Sequence, residues 1–88
     1  MEKVAKAEGR GIFAELLRRH RLAAGLTQEA LADRAGLSVR GIADLERGAR
    51  RYPHFHTLRG LAQALELDPA DRMALVAAGQ RPGAVLPD

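Results

Sequence analysis

The chain has 88 residues, which is the size of one small domain. Hydrophobic residues make up 47% of it and aromatic residues only 3%, which predicts a core built from Leu, Ala and Ile. The absence of cysteine excludes disulfides and cysteine-based metal sites. No apolar run is long enough for a membrane span or a secretory signal, so we expect a cytoplasmic protein.

The formal net charge is +3, and the charges are unevenly distributed. Residues 10–59 contain ten arginines and five acidic residues, whereas residues 60–88 contain two arginines and four acidic residues. A basic segment of this kind is what binding to nucleic acid requires. A genome that favours Arg and Ala would give the same bias, so charge alone does not decide the function.

The chain opens with a segment that we interpret as a flexible leader, residues 1–10. Its basic residues could lie along DNA as an arm. A solvated leader is an equal alternative, because two glutamates offset its two lysines. The basic residues of the leader are Lys3, Lys6 and Arg10. Apolar residues at helical spacing then predict a first helix over residues 11–24.

Two short helices joined by a glycine are predicted over residues 27–48. Thr27 and Ser38 are of the residue types that cap helix N-termini. Gly36 can adopt φ > 0, which lets one helix end and the next begin at a steep angle. Ala32 is small enough for the two backbones to approach closely. This order of features is typical of a helix-turn-helix, whose second helix enters the major groove of DNA.

A loop, two more helices and a tail are predicted for the rest of the chain. The loop covers residues 47–55 and holds Gly, Pro and two adjacent arginines. Thr57 is expected to cap the fourth helix. Asp68 followed by Pro69 is expected to start the fifth, because aspartate accepts free N–H groups and proline fits the first helical turn. Gly79 ends that helix, and residues 80–88 are interpreted as a tail or linker.

The pattern resembles the Cro/phage-repressor (XRE) family of helix-turn-helix DNA-binding domains, which includes the λ and 434 repressors. The resemblance extends from the motif to residues 21–26, 56–67 and 68–79, and leaves out the two ends of the chain. It implies an all-α fold, a compact five-helix bundle of the λ-repressor-like type in which helices 2 and 3 form the helix-turn-helix. The predicted DNA-binding domain covers residues 11–79.

The resemblance assigns base reading to the exposed side of helix 3, with residues 38–46 as the recognition helix in the major groove. The matching positions are Val39, Arg40 and Asp44. An arginine can fork onto the O6 and N7 atoms of guanine, and valine methyls can contact a thymine methyl. Asp44 has two open interpretations: it accepts from the N4 atom of cytosine, or it pairs with Arg40 or Arg47.

Phosphate contacts are implied at the start of helix 2 and in the loop after helix 3. Gln28 matches the first position, where helix N–H groups and the helix dipole favour an anion. Arg50 and Arg51 match the second, and we also assign phosphate contacts to Ser38 and Arg47. The alternatives are that Gln28 is only a surface residue and that the basic loop is only solvated.

One further pair is assigned to fold geometry instead of DNA binding. Arg21 and Glu46 align with a partly buried ion pair of the family, which links helix 1 to the end of helix 3. Such a pair need not stabilise the fold much, but removing one partner leaves an uncompensated charge.

The favoured function is sequence-specific binding of double-stranded DNA by a transcriptional regulator. The protein is then either a repressor or the DNA-binding module of a larger regulator. The alternatives are an antitoxin-type protein and a protein-interaction module that keeps the fold without reading DNA. An enzyme is not expected, because neither paired carboxylates nor a phosphate loop is evident. His54 and His56 supply only two candidate ligands, so no metal or other cofactor is expected.

A homodimer on a pseudo-palindromic DNA site is expected, because one recognition helix reads too few base pairs to select a site in a genome. Helix 5 and the tail are more apolar than a short surface segment needs, and they lack the basic charge. We therefore expect them to contact the partner chain or another protein, and no membrane is expected as a partner. The apolar residues of this segment are Leu67, Met73, Leu75, Val76, Val85 and Leu86.

Overall fold

The structure, a computed structural model, describes residues 11–80, which form five α-helices without a β-strand. The helices are α1 (Ile12–Ala23), α2 (Gln28–Ala35), α3 (Val39–Arg47), α4 (Phe55–Ala64) and α5 (Pro69–Ala78). Helix α1 packs against α3 and α5, α2 packs against α3 and α4, and α4 packs against α5. The predicted all-α bundle of five helices is therefore confirmed.

A single hydrophobic core lies between the helices, and every helix contributes to it. The largest fully buried side chains are Leu17, Leu31, Ile42, Leu58, Leu61 and Leu75. Burying one such side chain stabilises a fold by about 1.5–3 kcal/mol relative to leaving it exposed. Because the core is shared, no helix can move away without exposing part of it, and α3 is held in place by its apolar face.

Three predicted N-caps are confirmed. The side-chain oxygens of Thr27, Ser38 and Asp68 each accept a hydrogen bond from the backbone N–H three residues later, at 3.0, 2.9 and 2.8 Å. A cap of this kind contributes about 1 kcal/mol, because it satisfies a donor that has no partner inside the helix. Pro69 lies in the first turn of α5, as expected.

The predicted start of the fourth helix is wrong. Thr57 does not cap α4, since its backbone N–H already donates to the carbonyl of His54 at 2.9 Å, and His54 is the N-cap. Helix α4 begins at Phe55 and ends at Ala64. Residues 47 and 55 therefore belong to helices, and the connecting loop covers residues 48–54.

A contact within α4 accompanies the earlier start. When Phe55 joins the helix, its ring lies one turn before Arg59, whose guanidinium carbon is 6.0 Å from the ring centroid. Cation–π contacts at this distance are favourable. The prediction that Thr57 caps the helix used only the residue type at this position. It took no account of the contact between Phe55 and Arg59.

The assignment of Leu75 to a partner-binding surface is also wrong. Leu75 is fully buried in the core, because the apolar side of α5 packs against α1 and α4. Leu67 and Val76 are partly buried against the same core, whereas Met73 is 72% exposed. Of the four apolar residues predicted here within the described part of the chain, Met73 is therefore the one whose side chain is largely available to a partner.

The end of α5 approaches the core closely at Gly79, which is the predicted end of the helix. A Cβ atom there would lie 2.5 Å from Cδ2 of Leu58 and 3.1 Å from Cδ1 of Phe13. The first distance is too short for two carbon atoms, so a side chain at this position would force the buried side chain of Leu58 to shift.

Some predictions fall outside the described residues. These are the leader with Lys3, Lys6 and Arg10, and the part of the tail that holds Val85 and Leu86. Among residues 11–80, no helix combines the length and apolar character that crossing a membrane requires.

Candidate nucleic-acid interface

Helix α3 has one face in the core and another in solvent. Ile42 and Leu45 are buried, and Leu37 packs against the core just before the helix begins. At the N-terminal end of the helix, Arg40 is exposed and Val39 is 42% exposed. This end therefore presents an arginine fork and a branched aliphatic side chain to the outside, two groups that can contact base edges.

The turn between α2 and α3 has the geometry that the sequence predicts. Gly36 takes φ 72°, in the left-handed region that favours glycine. The N–H of Leu37 donates to the carbonyl of Ala32 at 2.9 Å, which closes the end of α2. Ser38 then caps α3 two residues after the glycine. The turn is short and hydrogen-bonded, so the direction of α3 relative to α2 is well defined.

An exposed ion pair lies on the outer side of α3. The guanidinium of Arg47 donates to Oδ1 of Asp44, one helical turn earlier. The side chain of Arg47 is 65% exposed and that of Asp44 is 29% exposed. The sequence leaves Arg40 and Arg47 open as ion-pair partners of Asp44, and in the structure the partner is Arg47. Each carboxylate oxygen can accept more than one hydrogen bond, so Asp44 can accept from a base either while it stays paired with Arg47 or after the pair opens.

The loop after α3 is tied to the helix by its backbone. Gly48 takes φ 83°, and the N–H groups of Ala49 and Arg50 both donate to the carbonyl of Asp44, at 3.0 and 3.3 Å. The side chains of Arg50 and Arg51 are exposed. Two exposed arginines thus follow the C-terminal end of α3 closely in the chain, and they add positive charge at this end of the helix.

The ion pair between Arg21 and Glu46 is buried and links α1 to α3. Arg21 Nε donates to Glu46 Oε2 at 2.6 Å and Arg21 Nη2 donates to Oε1 at 3.0 Å, a two-pronged arrangement. The two residues are 8% and 5% exposed. The hydrogen bond to Glu46 raises the pKa of Arg21 above its ordinary value, against the opposing effect of burial. Arg21 also donates through Nη1 to the carbonyl of Leu26 at 2.9 Å.

Gln28 joins this buried pair, which the sequence did not predict. The side-chain amide of Gln28, the first residue of α2, donates through Nε2 to Glu46 Oε1 at 3.0 Å. The two residues are 18 positions apart, so no local pattern could have indicated the contact. The start of α2, where a phosphate contact is predicted, is thus bonded to the end of α3.

Comparisons with known proteins agree with this geometry. The model of the helix-turn-helix domain family matches residues 12–75. The chain belongs to the helix-turn-helix family. Among solved structures, it is similar to the restriction-modification controller protein C.AhdI from Aeromonas hydrophila, with 37% sequence identity and a TM-score of 0.62. The match covers 68% of this chain and 89% of that chain. No curated protein matches the chain significantly.

The helix-turn-helix domain is of the Cro/phage-repressor (XRE) type, as its residue pattern indicates. Domains of this type bind DNA in transcription regulators, and this broad function applies to the chain. The residues that the sequence assigns to base reading and to phosphate contacts all lie inside the matched segment. His54 and His56 are exposed. Within residues 11–80, nowhere do three or more His, Asp or Glu side chains come together in a way that could hold a metal ion.

Proposed function

We propose that this domain binds double-stranded DNA sequence-specifically as a transcriptional regulator, with the recognition helix, residues 38–46, in the major groove. The protein is either a repressor or the DNA-binding module of a larger regulator. The observation that carries the proposal is the exposed N-terminal end of α3, which presents Val39 and Arg40 while Ile42 and Leu45 lie in the core. An α-helix fits the major groove, and each base pair presents a distinct pattern there.

Base reading falls to Val39, Arg40 and Asp44. Arg40 donates to O6 and N7 of a guanine, the commonest specific contact of an arginine. Val39, beside it, contacts a thymine methyl. Asp44 accepts from a cytosine N4, and its pair with Arg47 opens or shares the carboxylate when DNA is bound. An exposed pair of this kind costs little to open, because exposed ion pairs contribute about 0–1 kcal/mol.

Phosphate contacts surround these base readers. Gln28 contributes its side-chain amide at the start of α2. Ser38 contacts a phosphate at the N-terminal end of α3, where it is the N-cap. Arg47, Arg50 and Arg51 contribute positive charge at the other end of α3. Contacts of this kind fix the register of the domain on the duplex without reading its sequence.

We propose further that two copies bind a pseudo-palindromic site, with half-sites about 34 Å apart, roughly one turn of B-DNA. Met73 on α5 supports a protein contact there, because its large apolar side chain is 72% exposed. Footprinting together with light scattering, with and without DNA, tests this model. A single half-site bound tightly by one chain would contradict it.

The similarity to a restriction-modification controller protein suggests one class of target genes. By this similarity we propose that the chain controls transcription of restriction-modification genes. The alternatives are an antitoxin-type protein, which would bind DNA and also hold a protein partner through α5 or the tail, and a protein-interaction module that does not read DNA. The exposed arginines around α3 favour DNA binding over the second alternative, because a surface that binds only protein has no need of positive charge along this helix.

Selection of bound fragments from random double-stranded DNA, followed by sequencing, tests the proposal. We expect one enriched motif, with affinity for it at least about 10³-fold above that for unrelated DNA. Arg40→Ala should reduce the affinity for that motif. Arg18→Ala, which removes an exposed arginine on α1 outside the proposed interface, is the charge-matched control. If no motif is enriched and binding to DNA is weak at moderate salt, the protein-interaction alternative is favoured instead.

A further inference from the structure

We propose that Glu46 is a positioning residue for DNA binding, because it holds the side-chain amide of Gln28 in the orientation that a phosphate contact requires. The inference rests on the proposed function, since it concerns the contact between Gln28 and DNA. It gives the buried pair of Arg21 and Glu46 a second role besides linking α1 to α3.

One buried carboxylate joins three helices. Glu46 Oε1 accepts from Arg21 Nη2 and from Gln28 Nε2, each at 3.0 Å, and Oε2 accepts from Arg21 Nε at 2.6 Å. Glu46 is 5% exposed, and the side chain of Gln28 is partly buried beside it. Since the carboxylate is itself held at two points by Arg21, it presents Oε1 to Gln28 from a fixed position.

The carboxylate also selects which end of the amide faces it. An ionised carboxylate only accepts hydrogen bonds, so the NH₂ group of Gln28 must point towards Glu46. The opposite orientation would set two acceptor oxygens against each other at a buried site. An amide nitrogen carries two hydrogens in one plane, and the bond to Glu46 uses one of them. Fixing the first hydrogen therefore fixes the direction of the second, which is the donor for a phosphate oxygen.

The backbone at the same place is held by the same pair. Arg21 Nη1 donates to the carbonyl of Leu26, which fixes the turn just before α2. Thr27 occupies the N–H groups of Ala30 and Leu31, through its hydroxyl and its carbonyl, both at 3.0 Å. The first N–H groups of α2, those of Gln28 and the next residue, have no acceptor within the helix and favour an anion. The side-chain donor of Gln28 and the backbone donors at the start of α2 are therefore both positioned by the ion pair of Arg21 and Glu46.

A double-mutant cycle distinguishes positioning from a purely structural role. The proteins are wild type, Gln28→Ala, Glu46→Gln and the double variant. Affinity for the selected DNA site is measured by fluorescence anisotropy, at a temperature where circular dichroism shows each protein folded. Gln63→Ala removes an exposed glutamine of α4, and Glu66→Gln removes an exposed negative charge, so these are the matched controls.

We expect Gln28→Ala to weaken binding about tenfold, as for the loss of a hydrogen bond to a charged group. Glu46→Gln should weaken binding by a similar factor in the wild-type background and by less than about twofold in the Gln28→Ala background. The slope of log Kd against log salt should be the same for wild type and Gln28→Ala, because Gln28 carries no charge to neutralise a phosphate. Both controls should bind like wild type.

Two results would overturn the inference and leave DNA binding intact. One is an equal loss of DNA affinity from Glu46→Gln in the wild-type and in the Gln28→Ala background, which would show that Glu46 has only a structural role. The other is a Gln28→Ala variant that binds as tightly as Gln63→Ala while Arg50→Ala binds more weakly. A wild-type protein that selects no DNA site would instead contradict the proposed function itself.

A second measurement applies even if Glu46→Gln does not fold. In the NMR spectrum of the wild-type protein, the two side-chain amide hydrogens of Gln28 should differ. The one bonded to Glu46 should exchange slowly with solvent, and the other should shift when the DNA site is added. If both hydrogens exchange rapidly, or if neither responds to DNA, Glu46 does not position Gln28.

Discussion

Asp44 and Glu46 lie two residues apart on α3, and each pairs with an arginine, yet their surroundings differ. Glu46 is 5% exposed and bonds to Arg21 on another helix. Asp44 has a side chain that is 29% exposed, and it bonds to Arg47 on the same helix. Breaking the first pair leaves a charge in a low-dielectric environment, whereas water or a phosphate can replace a partner in the second. Burial, not residue type, separates the two roles.

The same division holds along the whole of α3. The face with Ile42, Leu45 and Glu46 is buried and fixes where the helix lies. The face with Val39, Arg40 and Arg47 is exposed and is the proposed DNA-contacting side. Changes on the first face should therefore alter the free energy of unfolding. Changes on the second should alter DNA affinity and leave stability nearly unchanged.

The largest effect is expected for the buried pair. Arg21→Ala should destabilise the fold by about 3–5 kcal/mol, because the buried carboxyl group of Glu46 loses its main partner. Arg47→Ala, which breaks the exposed pair, should cost less than about 1 kcal/mol. Urea denaturation of both variants, followed by circular dichroism, measures the difference. Equal and small losses would show that the burial of Glu46 has no energetic consequence.

A double variant sharpens this comparison. Replacing both partners, with Arg21→Met and Glu46→Leu, should recover most of the stability that Arg21→Ala loses, because well-packed apolar groups often substitute for a buried ion pair. The same variant should still bind DNA more weakly than wild type, since Gln28 then has no acceptor at position 46. Full recovery of both properties would remove the link between this pair and DNA binding.

The next largest effect is expected on the exposed face. Arg40→Ala should cost roughly 1–3 kcal/mol of binding on the selected site and relax the preference at one base pair. Arg50→Ala or Arg51→Ala should weaken binding to all sequences alike and reduce the salt slope by about one unit. Anisotropy titrations at several salt concentrations, on the selected and on scrambled DNA, separate the two patterns. Identical, sequence-independent losses would contradict the assignment of Arg40 as a base reader.

A smaller effect is expected at Ser38, where capping and DNA contact coincide. Ser38→Ala should cost about 1 kcal/mol of stability, because the N–H of Gly41 loses its acceptor. Ser38→Asp should keep the cap and the stability, yet weaken binding to every DNA sequence by placing a negative charge at the proposed interface. Thermal melts and anisotropy on both variants test this. If Ser38→Asp binds as wild type does, position 38 lies away from the phosphates.

A feature could be predicted from the sequence when it depends on residues close together in the chain, and it could not when it depends on how the helices pack. The caps at Ser38 and Asp68 and the turn at Gly36 were predictable, because each depends on residues within one helical turn. Thr57 gave the wrong start for α4, because the backbone carbonyl of His54 accepts from the N–H groups of Thr57 and Leu58 and the helix already begins at Phe55. The bond between Gln28 and Glu46 was out of reach for any local pattern, since it exists only after α2 and α3 pack together. The phosphate and base contacts stay predictions.

The smallest change in stability is expected for Asp44→Asn. The exposed pair with Arg47 spans one helical turn, and such pairs contribute about 0.2–0.5 kcal/mol. The variant should therefore unfold within about 0.5 kcal/mol of wild type, the opposite outcome to that of a change at Arg21. Chemical denaturation with repeated measurements resolves a difference of this size.

DNA selection with the same variant decides which role Asp44 has on the exposed face. If Asp44 reads a cytosine, the preference at one base pair should change in Asp44→Asn, because asparagine favours the N6 and N7 atoms of adenine. If Asp44 serves only as the partner of Arg47, the preferred sequence should stay the same. Affinity for all DNA should then rise, since one carboxylate that repels phosphates is gone and Arg47 is released. We expect the first result, and the second would restrict base reading to Val39 and Arg40.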